Sequence, residues 1–273
     1  MLKLAISGKG GVGKTTLSSL LARNYASRGY QVLAIDANPD ANFGAALGIP
    51  FEEVQRITPI VEMNDLIEER TGARPGTSAP FFKLNPKVDD IPDRFSLEKD
   101  GVKLLIMGTV TSGGSGCICP ESTLLKALLS HLILKRDEVV ILDMDAGIEH
   151  LARGTVRAVD AFVVVVEPGQ RSIQTAKSVR KLALDLGVRR CYVVGNKIKS
   201  PEDEEFVKGN LPDFEVLGFL SFNPKVSEAD LKGLSVYDTA PETVAETARI
   251  VDRLEKIHGG NDGEENPQRH QSK

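Results

Sequence analysis

The stretch Gly8-Lys9-Gly10-Gly11-Val12-Gly13-Lys14-Thr15-Thr16 matches the pattern G-x-x-x-x-G-K-[ST] and constrains this chain more than any other feature. An apolar run, Leu2 to Ser7, precedes it, and a segment of helical period, Thr15 to Arg28, follows. Strand, glycine loop and helix in that order make an anion cradle. The glycines let successive backbone N–H groups converge on one anion, and the helix N-terminus adds its dipole. Lys14 is suited to neutralise β and γ phosphate oxygens, and the Thr15 hydroxyl to ligate Mg²⁺. Gly8, Lys9, Gly10, Gly11, Val12, Gly13, Lys14, Thr15 and Thr16 are therefore the expected nucleotide-binding set, with ATP or ADP and Mg²⁺ as ligands.

Beyond the loop, short apolar runs alternate with longer segments of helical period. Strands are predicted at Leu2 to Ser7, Gln31 to Asp36, Val102 to Met107, Val139 to Met144, Ala161 to Val166, Cys191 to Asn196 and Glu215 to Ser221. Most lack polar alternation, as strands buried on both faces do. Helices are predicted at Thr15 to Arg28, Ile60 to Thr71, Pro120 to Leu134, Ile148 to Val156, Ser172 to Leu186, Pro201 to Lys208 and Pro241 to Ile257. The expected fold class is α/β, a P-loop NTPase with a mostly parallel central sheet of about seven to eight strands flanked by helices on both faces. One domain is expected over 1–258. Residues 72–100, with Pro75, Pro80, Pro86 and Pro92, read as an irregular insertion, and the polar tail 259–273 as disordered.

With 34 lysines and arginines against 38 acidic residues, the chain carries no basic footprint for a nucleic acid. The longest apolar run, Ala161 to Val166, is far too short to span a bilayer, so no membrane partner is expected. A core strand that begins at the second residue leaves no room for a cleavable leader, and only three cysteines occur; a cytoplasmic location is expected.

Lys9 sets this loop apart from the general pattern. KGGVGKT resembles the deviant phosphate loop of the family containing MinD, ParA, the arsenite-pump ATPases and the nitrogenase iron protein. That resemblance implies that Lys9 reaches across a dimer interface to the partner's nucleotide, and that ATP drives closure of a homodimer. In Asp36-Ala37-Asn38-Pro39-Asp40, Asn38 stands where the family usually has an aspartate. An asparagine neither accepts a proton nor carries charge towards Mg²⁺, so slow hydrolysis or a substitute is expected. Asp40 is the preferred substitute, with a structural cap as its competing reading, and Asp36 is expected to support Mg²⁺ through a water. In VVILDMDAG, Asp143 ends a strand as the carboxylate expected to hold the Mg²⁺ shell; Asp145 reads as a turn residue, and Gly147 as freeing the backbone beside the γ-phosphate. Asn196-Lys197, closing CYVVGNKI, looks like the family's base-reading pair. The residues expected to serve the chemistry are thus Lys9, Lys14, Asp36, Asp40 and Asp143.

Cys117 and Cys119 lie in GGSGCICPESTLL, a glycine-rich loop running into a helix. Pro120 suits the first helical position and makes Cys119 the N-cap, where the helix dipole lowers a thiol's pKa. Two adjacent thiolates repel unless a cation joins them, and a soft or borderline metal, Ni²⁺ or Zn²⁺, is the natural one. Two sulfurs are half of a four-coordinate site; a two-fold dimer would supply the same pair twice. A redox disulfide and a buried structural pair are the competing readings. Cys191 reads as a small buried hydrophobe. His131, His150, His258 and His270 show no ligand spacing, and the lack of a histidine-rich tract argues against nickel storage.

The loop, the C-x-C pair and the segment DMDAGIEHLARGTVRAVD followed by VVVVEPGQRSIQTA together resemble the CooC-type nickel-insertion ATPases that mature carbon monoxide dehydrogenase, or their sisters that serve acetyl-CoA synthase. The resemblance implies a metallochaperone that dimerises around one Ni²⁺ and releases it on hydrolysis to one of those clients. Two alternatives stand beside it. A MinD or ParA-like positioning ATPase would carry a basic amphipathic helix or patch, and neither is evident. An electron donor like the nitrogenase iron protein would place its two cluster cysteines far apart in the chain, whereas here one residue separates them.

Overall fold

The computed structural model of the chain describes residues 1–76, 81–109, 119–144 and 159–259. Its eight strands form one sheet: β1 (Lys3–Gly8), β2 (Val32–Asp36), β3 (Leu97–Lys99), β4 (Val102–Ile106), β5 (Val139–Asp143), β6 (Ala161–Val166), β7 (Cys191–Ile198) and β8 (Glu215–Ser221). The spatial order is β3-β4-β2-β5-β1-β6-β7-β8, parallel throughout except for the antiparallel edge pair β3–β4. The described helices are α1 (Lys14–Ser27), α2 (Phe43–Ala46), α3 (Phe51–Val54), α4 (Asn64–Thr71), α5 (Ile91–Phe95), α6 (Pro120–Lys135), α7 (Gln170–Asp185), α8 (Pro201–Asn210), α9 (Pro224–Lys232), α10 (Val236–Thr239) and α11 (Pro241–Gly259).

The apolar strands are buried on both faces because helices cover both. Along β1, Leu4 and Ile6 pack with α1 and α11 residues such as Leu17, Leu21 and Leu254, whereas Ala5 faces the opposite cluster with Leu128 of α6 and Ile173 of α7. Along β6, Phe162, Val164 and Val166 join the second cluster; Ala161, Val163 and Val165 join the first. This period of two divides one unbroken apolar run between two cores. The edge strand β8, by contrast, is exposed at Glu215 and Ser221.

Several elements depart from the sequence expectation. The helix predicted over Ile60 to Thr71 is interrupted: Ile60–Glu62 is a 3₁₀ turn, and α4 starts at Asn64. The Val61 N–H donates to Met107 O at 3.1 Å, so backbone that a continuous helix would use is spent on the strand end. The stretch 72–100 is not wholly irregular, for it contains α5 and β3. Val88 and Ile91 enter the core, and Arg70 grips Asp90 through two bonds of 2.8 and 2.7 Å. Short α2, α3, α9 and α10 were not anticipated either. The predicted helix Ile148 to Val156 lies outside the described residues, as does 260–273 of the predicted disordered tail. Among the described residues, no helix is long and apolar enough to cross a membrane.

Candidate nucleotide site

The phosphate loop leaves β1 at Gly8 and enters α1 at Lys14. Gly8 pairs in register with Val165 of β6, and a Cβ there would lie 2.5 Å from the Val165 carbonyl oxygen. Gly13 has φ 95°, and a Cβ on it would lie 2.3 Å from Asn196 Nδ2. Positive φ favours glycine at both positions, and at Gly8 the close Val165 backbone leaves no space for a side chain. The loop closes on its own lysine: Lys14, only 8% exposed, points its ammonium back to Lys9 O at 3.5 Å.

The parallel register brings the acidic strand ends together. Asp143 at the end of β5 stands opposite Asp36 of β2 on one side and Ile6 of β1 on the other. Thr15 Oγ1 donates to Asp143 Oδ2 at 2.7 Å, and Ser18 Oγ donates to Oδ1 at 3.1 Å. Asn38 spans the two carboxylates, its Nδ2 donating to Asp36 Oδ1 at 3.1 Å and to Asp143 Oδ2 at 2.9 Å. Backbone N–H groups of Asn38 and Phe43 complete the Asp36 shell at 3.1 and 2.9 Å. Burial still dominates: it pushes the Asp36 carboxyl up to about 6, against those N–H bonds and with the Asp143 charge adding to the rise. Burial also raises Asp143, against the hydroxyls of Thr15 and Ser18 and the Lys14 charge.

Two buried carboxylates that hydrogen bonds leave under-neutralised are fitted to a divalent cation. Asn38 Oδ1 is buried without a hydrogen-bond partner and awaits a donor such as a cation-bound water. Thr15, Asp143 and Asp36 are the side chains that would hold Mg²⁺, directly or through water, and the cation would supply charge neutralisation for the phosphates. The residues present fit Mg²⁺-nucleotide.

Other expected residues are placed differently. Asp40 is exposed and joins none of these bonds, so the structure does not bring it into the carboxylate cluster. Asn196 acts as a strut from β7 to the loop: Nδ2 donates to Val12 O, and Oδ1 accepts the Lys197 N–H, both at 2.8 Å. Lys197 donates to Gly11 O at 2.6 Å and pairs with Glu167 at 3.3 Å, and Lys9 lies 3.8 Å from the same carboxylate. Sequence reasoning missed Ser18 and Glu167. Ser18 lies one helical turn beyond Thr15, a spacing that could have flagged it; Glu167 carried no local signal.

Cys119 does cap α6, in extended conformation, with Pro120 following and its carbonyl accepting Thr123 N–H at 3.0 Å. Cys117, Asp145, Gly147, His150 and His270 lie outside the described residues. Cys191 is buried in the core, where desolvation pushes its thiol up to about 12. His131 is half-buried on α6, and His258 packs edge-on against Tyr192 with Arg190 at 3.0 Å from Nδ1. Among the described residues no group of three or more His, Cys, Asp or Glu could hold a metal ion.

A parallel sheet with this loop, opposed strand-end carboxylates and an added Lys9 defines a nucleotide-binding α/β protein, and residues 3–236 match the model of the CobQ/CobB/MinD/ParA nucleotide-binding domain. The chain belongs to that family. Within it, the chain is 48% identical over 240 residues to the carbon monoxide dehydrogenase accessory protein CooC of Rhodospirillum rubrum, covering 88% of this chain and 91% of that one. It is 46% identical over 235 residues to an uncharacterised ATP-binding protein of Methanocaldococcus jannaschii, covering 85% and 90%. The fold matches a chain of the MinC:MinD cell division protein complex of Aquifex aeolicus, with a TM-score of 0.67 at 22% identity over 94% of this chain and 96% of that one.

Proposed function

We propose that this protein is a cytoplasmic, Mg²⁺-dependent ATPase that carries nickel to carbon monoxide dehydrogenase or acetyl-CoA synthase. The observation that carries the reading is the 48% identity to CooC across 91% of that protein's length. ATP binds the loop from Gly8 to Thr16, with Lys14 on the phosphates. Lys9 acts on the nucleotide of a second subunit, and hydrolysis to ADP and phosphate resets the dimer. The cargo, Ni²⁺ with Zn²⁺ as competitor, is gripped by Cys117 and Cys119 from both subunits.

The route from nucleotide to metal has a physical basis. The chain beyond β4 is bonded to the strand end of Asp36: Met107 N–H donates to Asp36 O at 2.9 Å, and Thr109 Oγ1 donates to Ala37 O at 2.6 Å. That chain leads into the C-x-C loop, and Cys119 at the N-cap of α6 sits where the helix dipole favours a thiolate. Occupancy at Asp36 and Asn38 thus bears on the start of the metal-gripping loop.

Metal content and mass of anaerobically purified protein, with and without ATP, test the reading. Cys117→Ser and Cys119→Ser are expected to bind ATP as the wild type does and to lose stoichiometric nickel. Retention of one metal per dimer by either variant would sink the shared site.

A further inference from the structure

We propose that Glu167 is a positioning residue that parks Lys9 on its own subunit until a second copy docks. This rests on the reading that Lys9 acts across a dimer interface. Glu167 is the first residue after β6, the strand in register with Gly8 of β1, so it emerges beside the phosphate loop. Its N–H donates to Ser172 Oγ at 3.1 Å, which ties the turn to α7 and fixes where the carboxylate starts.

That carboxylate serves two ammonium groups unequally. Lys197 lies 3.3 Å from Oε2 and donates to Gly11 O at 2.6 Å, so it is held by two acceptors. Lys9 lies 3.8 Å from Oε1, an ion contact beyond hydrogen-bond length. Lys9 is therefore the partner that leaves. Its departure strands no charge, because Lys197 stays on Glu167 and keeps a carboxylate at the rim from facing the incoming phosphates alone. An exposed contact of this kind changes an equilibrium by about two- to fivefold, enough to set a threshold for docking and too little to block it.

Sedimentation of the full chain at graded ATP with Mg²⁺ tests the latch in wild type, Glu167→Gln, Lys9→Ala and the double variant. Glu167→Gln is expected to lower the ATP concentration for half-maximal dimer by about two- to fivefold. In the Lys9→Ala background the same substitution should change nothing, since the latch then has nothing to hold. An unchanged midpoint in Glu167→Gln, or an equal shift in both backgrounds, overturns the proposal. If Lys9→Ala loses the dimer while Glu167→Gln behaves as wild type, only the latch falls. If Lys9→Ala dimerises at wild-type ATP concentrations, the action of Lys9 across the interface falls, and the latch with it.

Discussion

The two sides of the phosphate loop are built on opposite principles. On the side of β2 and β5, Asp36, Asn38, Asp143 and Ser18 are buried and, with half-buried Thr15, form one connected set of side-chain hydrogen bonds. On the side of β6 and β7, Lys9, Lys197 and Glu167 are partly exposed and share one carboxylate between two cations. A buried cluster has few alternative partners and holds its geometry before ligands arrive; an exposed ion cluster trades partners at little cost. The first suits a cation and phosphates that must be met in one arrangement. The second suits contacts that change when another subunit approaches.

The contrast is sharpest in the pH dependence of stability without nucleotide or Mg²⁺. Burial on folding pushes the Asp36 carboxyl from its ordinary 3.8 up to about 6. The folded state thus holds its proton more tightly, and the associated stability, complete below about 4, is lost as pH rises through about 6. The shift corresponds to about 3 kcal/mol. In urea unfolding, the stability difference between wild type and Asp36→Asn should change by about that amount between pH 4 and 7. Its pH trend is the readout, because an amide cannot accept every bond that Asp36 accepts. Parallel curves would show that the cluster carries no such burden.

A smaller effect is expected at Ser18. Ser18→Ala removes one hydroxyl from a buried carboxylate and should cost about 2 kcal/mol at pH 7 in the same assay. A loss below about 0.5 kcal/mol would mean that Asp143 is positioned without it. The rim should respond least. Lys197→Met is expected to cost under about 1 kcal/mol, and a loss above about 2 kcal/mol would erase the distinction between the two sides.

Much of this was legible in the chain because its signals are local. Seven of the eight described strands are apolar runs that pattern alone reveals, while β3 is three residues long with Glu98 exposed, too short and polar to stand out. α9 does not stand out in the sequence although Asn223 caps it through Lys225 N–H and Pro224 opens it, since its only fully buried residue is Ala229. At the site, Asp36 and Asp143 were visible as acidic ends of apolar strands. Asp40 is only two residues from Asn38 in sequence, yet the chain turns so that Asn38 is buried and Asp40 exposed.

The sequence by itself determined the phosphate cradle, because its glycines, lysine and threonine are contiguous and their backbone conformations follow from residue type. The class of sheet followed too, since period and apolarity are written along each strand. Which side chains meet was decided only by the tertiary structure. Asn38 and Asp143 are 105 residues apart, and Lys197 and Glu167 are 30. Strand register across β2, β5 and β1 brings the first pair together, and the neighbouring ends of β6 and β7 the second, through pairings that no local pattern encodes.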